Sequence, residues 1–76
     1  MKGDITMKLS ARNQIKGTVI EIKEGAVNGV VKLDIGGGNV ISSVITMASI
    51  NELGLKVGSS AYALIKASNV MIGVDD

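Results

Sequence analysis

The fold is decided by residues 27–46, which read VNGVVKLDIGGGNVISSVIT. Two runs rich in β-branched residues, Val27–Ile35 and Val40–Thr46, lie on either side of Gly36-Gly37-Gly38-Asn39. Valine and isoleucine favour strands, and glycine and asparagine accept the positive φ angles that a tight hairpin turn requires. The sequence therefore predicts a β-hairpin over this stretch.

The remainder of the chain shows short strand patterns separated by turn signals. Ser49-Ile50-Asn51-Glu52 has the form of a capping box, which predicts a helix of one or two turns that Gly54 would end. Further turns are indicated at Glu24-Gly25 and Lys56–Ser59. Additional strands are predicted at Ile5–Leu9, Ile15–Lys23, Ser60–Lys66 and Asn69–Val74. The pattern is typical of an all-β domain, a small barrel or sandwich with one short helical turn.

Adjacent apolar pairs interrupt the expected alternation of inward and outward side chains. The pairs are Val19-Ile20, Val30-Val31, Val40-Ile41 and Val44-Ile45. In a strand, neighbouring side chains point to opposite faces, so either bulges interrupt these strands or the outer face is buried as well. We favour the second interpretation, in which a subunit interface covers the outer face.

Size and composition support an oligomer. A chain of 76 residues forms one domain at most, and its core is small relative to its surface. Such chains are usually stabilised by disulfides, a structural metal or oligomerisation. The sequence has no cysteine and no histidine, and 46% of its residues are hydrophobic against 20% charged. Of these three sources of stability, oligomerisation is therefore the one that we expect.

Residue types also argue against several classes of function. There is no cysteine nucleophile and no histidine base, and Gly36-Gly37-Gly38 lacks the lysine and helix of a phosphate-binding loop. The carboxylates are scattered along the chain and support no paired acid–base site. We expect no enzymatic activity and no cofactor.

Nucleic acid and membrane partners are not expected either. A formal charge of +1 and a single aromatic residue, Tyr62, are poor material for a groove that binds nucleic acid. No apolar stretch reaches the length of about 20 residues that a membrane span needs. The N-terminus lacks the apolar core of a signal peptide, so we expect a cytoplasmic protein.

Two short segments concentrate hydrogen-bond donors. Ser10-Ala11-Arg12-Asn13 combines a hydroxyl, a guanidinium and a side-chain amide, and Lys66-Ala67-Ser68 combines an ammonium and a hydroxyl. Backbone amides in such irregular connections form concave anion sites, and charge-assisted bonds to an oxyanion are strong. Either segment alone is typical of a polar surface turn. The two would indicate an anion site only if they meet in space.

The sequence resembles the molbindin (Mop) family of molybdate-binding proteins and the related TOBE/Mop domains. The resemblance lies in Ser10–Gln14 followed by Ile15–Val19, then in Thr46–Gly54 (TMASINELG), Gly58 and Ala63–Ile72. It covers residues 7–76, which we interpret as a Mop-like domain, and residues 1–6 are interpreted as an N-terminal extension.

The resemblance implies a five-stranded OB-like barrel. Its subunits would exchange a strand and assemble into a homohexamer, a trimer of dimers, that stores or carries molybdate or tungstate at subunit interfaces. Ser10, Arg12 and Lys66 would contact the anion through their side chains. Backbone amides or hydroxyls would come from Ala11, Asn13, Ala67 and Ser68. A second site is matched to Ile41-Ser42-Ser43.

Alternative functions remain open at this stage. One is a regulatory ligand-sensing module that acts through a protein partner. Another is a barrel of the OB type that binds nucleic acid, which the single tyrosine and the low net charge disfavour. A purely structural role is the third.

Overall fold

A computed structural model describes residues 10–76 of the chain. It shows a mostly β protein with one short helix and a single antiparallel sheet that curls into a half-barrel. The sheet has the strand order β3-β2-β1-β4. The elements are β1 (Asn13–Lys23), β2 (Asn28–Gly36), β3 (Asn39–Thr46), α1 (Met47–Glu52), β4 (Ser60–Ile65) and a 3₁₀ turn over Ala67–Asn69.

The predicted hairpin is confirmed. Gly36 and Asn39 are paired at its end, and the φ angles of Gly37 and Gly38 between them are +63° and +79°. A turn with two residues at positive φ matches the right-handed twist of the flanking strands. The Asn39 side-chain amide donates to the Gly36 carbonyl oxygen over 3.2 Å and fixes the turn.

The core lies on the concave face of the sheet, under α1. Its buried members are Val19, Val31, Leu33, Ile50 and Ala63. Gly29 on β2 allows the helix to approach, because a Cβ atom there would lie 2.7 Å from Ile50 Cδ1. The helix therefore packs over a position of β2 that has no side chain.

The helix starts earlier than predicted. The residue that caps it is Thr46, whose Oγ1 accepts a hydrogen bond from the Ser49 backbone amide over 3.0 Å, so the prediction of a cap at Ser49 is wrong. A start at Met47 brings Met47 and Ile50 over Gly29 and onto the core, and this packing outweighs the local capping signal. The predicted stop is confirmed, since Gly54 follows the C-cap at φ +64°.

The adjacent apolar pairs have two explanations. The register of β1 against β2 shifts between Val19 and Glu21, so a bulge leaves Ile20 without a partner and 44% exposed. The other three pairs place a valine on the convex face, and Val44 there is 67% exposed. The sheet thus contains both a β-bulge and strands with apolar side chains on both faces. Burial of the convex face by a subunit interface stays a prediction.

The half-barrel is open between its edge strands, β3 and β4. A groove of about 650 Å³ lies there, lined mainly by apolar side chains that include Ile41, Ile45, Leu55 and Ile65. Its wall also contains Tyr62. Three apolar side chains near the C-terminal end of the described residues are almost fully exposed.

Those side chains belong to the predicted strand Asn69–Val74, which is wrong for the single chain. After the 3₁₀ turn, residues 70–76 have no regular structure, and Met71, Ile72 and Val74 are 92%, 87% and 90% exposed. This segment has the apolar side chains of a strand but pairs with no strand of the described chain. The predicted strand Ile5–Leu9 and the extension at residues 1–6 lie outside the described residues.

Within residues 10–76, no helix is long and apolar enough to cross a membrane.

Candidate anion-binding site

The two donor segments meet in space. Strand β1 begins at Asn13 and β4 ends at Ile65, and these two residues are partners in the antiparallel register. Arg12 directly precedes the first and Lys66 directly follows the second. Residues 10–13 and 66–68 therefore lie at the same end of the β1–β4 pair, as an anion site built from both segments requires.

Asn13 ties the two segments together. Its side-chain amide Nδ2 donates to the Ile65 carbonyl oxygen over 3.1 Å, and the residue is half-buried. A neutral hydrogen bond of this kind contributes about 1 kcal/mol to stability. The side chain thus has a positioning role, while the predicted contribution of the Asn13 backbone amide to an anion site stays a prediction.

Gln14 supports the first segment in the same manner. Its Nε2 donates to the Ala11 carbonyl oxygen over 3.3 Å, so the side chain folds back along the segment. Ser10 and Arg12 are exposed and Ala11 is half-buried. Sequence reasoning missed Gln14 as a positioning residue, although its place directly after the donor segment was the available signal.

The second segment ends in the 3₁₀ turn. The Asn69 amide donates to the Lys66 carbonyl oxygen over 2.8 Å, and the Val70 amide donates to the Ala67 carbonyl oxygen over 3.3 Å. The first amides of a helical turn have no partner within it. The turn consequently makes no use of the amides of Ala67 and Ser68, beside the exposed side chain of Lys66.

The two stretches of chain that carry the donor segments contain only positive charges. Residues 10–18 and 60–70 contain Arg12, Lys16 and Lys66 and no carboxylate, although the whole chain has a formal charge of only +1. The ion pair found among residues 10–76 lies elsewhere and joins Lys32 to Glu21 over 3.8 Å. The positive groups near the two donor segments thus face an approaching anion without a competing carboxylate in those segments.

The side chains of the second predicted site, Ile41-Ser42-Ser43, do not converge on one face of the sheet. Ser42 pairs with Lys32, whereas Ile41 and Ser43 pair with Leu33 and Val31, whose side chains are in the core. The alternation of the strand sends the Ser42 and Ser43 hydroxyls to opposite faces of β3. The three residues border the groove, at the far edge of the sheet from β1 and β4.

Comparison with known proteins identifies the family. The sequence profile of the TOBE domain matches residues 9–72. The chain belongs to the TOBE domain family. The resemblance expected from the two motifs is therefore confirmed, and the match extends through both donor segments.

Several relatives match this TOBE domain along nearly their whole length. A probable molybdenum-pterin-binding protein of Haemophilus influenzae is 58% identical over 69 residues, which are 91% of this chain and 100% of the relative. Molybdenum-pterin-binding protein 2 of Clostridium pasteurianum is 48% identical over 66 residues, which are 87% of this chain and 97% of the relative. The TOBE domain is thus similar in sequence to the molybdenum-pterin-binding (Mop) proteins.

Solved structures agree with this fold. MopII from Clostridium pasteurianum superposes with a TM-score of 0.82 at 46% identity, over 88% of this chain and all of that one. A molybdate-binding protein from Sporomusa ovata gives 0.83 at 34% identity, over 90% and 100% of the two chains. The molybdate-bound cytoplasmic protein ModG gives 0.85 at 54% identity, where the TOBE domain covers 91% of its own length and 49% of ModG.

Proposed function

We propose that this TOBE domain binds molybdate, and also tungstate, as free oxyanions and serves as a store or carrier rather than as an enzyme. The observation that carries the proposal is the pairing of Asn13 with Ile65, which joins two donor segments rich in positive charge. The molybdate-binding proteins of similar structure support the choice of ligand.

The donor set suits a fully deprotonated tetrahedral dianion. The Ser10 hydroxyl, the Arg12 guanidinium and the Lys66 ammonium would donate from side chains, and Ala11, Asn13, Ala67 and Ser68 would donate from backbone amides or hydroxyls. Charge-assisted bonds of this kind are about twice as strong as neutral ones. Hydrogen phosphate carries a proton that needs an acceptor, and these segments have no carboxylate to provide one.

We further propose that a homo-oligomer completes the barrel. The occupant of the groove would be the C-terminal segment, residues 70–76, of a second copy. Support comes from the exposed Met71, Ile72 and Val74 and from the open apolar groove between β3 and β4. A homohexamer formed as a trimer of dimers, with anions at the interfaces and a second site near Ile41-Ser42-Ser43, is the assembly that the family resemblance favours. A cytoplasmic location is proposed by analogy with ModG.

The free anion is preferred here over a molybdenum–pterin complex, although relatives carry the latter in their names. A pterin requires a partly aromatic cleft with convergent polar groups. Tyr62 is the one aromatic residue that borders the groove, and residues 10–13 and 66–68 are not part of its lining. The positive charge and the apolar cleft are therefore separate features of the molecule.

A regulatory ligand-sensing module is the second candidate function. It is favoured by a 44% identity over 69 residues to the molybdenum transport protein ModE of Azotobacter vinelandii, of which this chain spans 26%. A protein partner captured only in the presence of molybdate would support regulation. Binding of the anion with no such partner would support storage.

Titration calorimetry with four anions tests the proposal. We expect molybdate and tungstate to bind more tightly than sulfate, and sulfate more tightly than phosphate. Arg12→Ala and Lys66→Ala should each weaken molybdate binding, while the matched variant Lys23→Ala, at the other end of β1, should not. Phosphate that binds as tightly as molybdate, or an equal loss in all three variants, would contradict the proposed site.

A further inference from the structure

Lys16 is a cation near the proposed site that belongs to neither donor segment. It lies on β1, where it is exposed and is the register partner of Tyr62 on β4. The alternation of the strand places it on the same face as Gln14, two residues nearer the strand end. The convex face beside the donor segments thus carries a further positive charge.

On the β2 side, Lys16 has the exposed carboxylate of Asp34 as a neighbour, because Asp34 is the register partner of Thr18, whereas the stretches that carry the donor segments are positively charged. Residues 10–18 and 60–70 have three cations and no carboxylate, a formal charge of +3. Because the full chain has a charge of +1, all other residues together carry −2. One third of the positive charge at the site is therefore contributed by Lys16, although neither donor segment includes it.

Its distance sets the kind of interaction that it can make. Lys16 lies four positions after Arg12, which corresponds to about 13 Å between their Cα atoms in extended chain. A direct hydrogen bond needs heavy atoms within about 3.2 Å. Coulomb attraction, in contrast, extends to about 30 Å at 10 mM ionic strength and to about 3 Å at 1 M.

We infer that Lys16 is a third cation of the anion site, which strengthens binding of the dianion through its long-range field and not by contact. The inference rests on the proposed function, since it concerns the same site. For a unit charge about 13 Å from a dianion in water, its removal should weaken binding about twofold at 10 mM ionic strength and not measurably at 1 M. Reversal of the charge should weaken binding about fourfold at the lower ionic strength.

Calorimetric titration with sodium molybdate at 10 mM and 1 M ionic strength tests the inference on the full chain. Lys16→Gln should raise Kd about twofold and Lys16→Glu about fourfold at 10 mM, and both should match the unmodified protein at 1 M. Lys23→Glu is the matched control: it has the same change of charge on the same strand, about 23 Å further than Lys16 from Asn13, and should bind normally. Sedimentation velocity should show the same assembly for all variants.

Three results would overturn the inference. An equal loss at both ionic strengths would mean that Lys16 contacts the anion. No loss at 10 mM would mean that its field does not reach the site, and an equal loss in Lys23→Glu would mean that only the total charge matters. Failure of the unmodified protein to bind molybdate would instead refute the proposed function, so the two failures are distinguishable.

Discussion

Replacement of Asn13 by aspartate tests the location of the anion site with almost no change in shape. In the structure, the Asn13 side-chain amide donates to the Ile65 carbonyl oxygen over 3.1 Å. Asn13→Asp exchanges this donor for a second acceptor and adds a negative charge between the two donor segments. Asn13→Ala removes the same hydrogen bond but adds no charge, so it is the matched control.

The two variants should differ in affinity for electrostatic reasons. Loss of the hydrogen bond costs about 1 kcal/mol in either case. A carboxylate on the order of 7 Å from a dianion repels it by about 1 kcal/mol in water and by about 5 kcal/mol at an effective dielectric constant near 20. Because Ser10 and Arg12 are exposed, the lower part of this range applies. We expect Asn13→Asp to bind molybdate roughly 10–100-fold more weakly than Asn13→Ala.

Calorimetric titration with molybdate measures this difference, and urea unfolding checks that both variants remain folded. Equal affinities in the two variants would refute the reasoning, because a charge placed between the segments would then not affect the bound anion. A site located elsewhere, for example near Ser42 and Ser43, would give that result.

Three further predictions concern packing and assembly. Gly29→Ala should lower the free energy of unfolding by about 1–3 kcal/mol, since the new Cβ would lie 2.7 Å from Ile50 Cδ1; an unchanged urea midpoint would contradict the close seat of the helix. Leu33→Ala truncates a core side chain that is only 4% exposed and should lower the free energy of unfolding by about 2–5 kcal/mol in the same assay. Ile72→Asp should shift the protein to smaller species in sedimentation velocity, because burial of an isoleucine contributes about 1.5–3 kcal/mol. Val57→Asp, at an exposed valine outside residues 70–76, serves as control. An unchanged sedimentation profile for the first variant would argue against residues 70–76 as the groove occupant.

Local signals predicted the local structure well. The hairpin at residues 36–39 depends on glycines at positive φ and on strand-forming neighbours, and both are evident in the sequence. The helix start at Met47, capped by Thr46, was missed because both Thr46 and Ser49 can cap a helix. The choice between them is made by packing of Ile50 against Gly29, which is a contact between distant residues.

The contrast between local signals and contacts of distant residues also applies to the candidate site and to the last predicted strand. Donor chemistry identified residues 10–13 and 66–68, but only the register of Asn13 with Ile65 brings the segments together. The β pattern of residues 69–74 predicted a strand, yet pairing requires an edge that this stretch does not meet in its own chain. Sequence periodicity indicates that side chains are suited to burial and does not say which molecule buries them.

The position of Tyr62 gives the protein a built-in optical probe. The sequence has no tryptophan and one tyrosine, so its near-ultraviolet absorption and its intrinsic fluorescence come from a single phenol ring. Tyr62 is half-buried and borders the groove, and as the register partner of Lys16 it carries its ring on the convex face of β4. If a second copy packs against this edge of the sheet, water leaves the neighbourhood of the ring as the protein concentration rises. Emission that stays constant on dilution would show that no such cover is gained or lost over that range, and a change would report assembly without any added label.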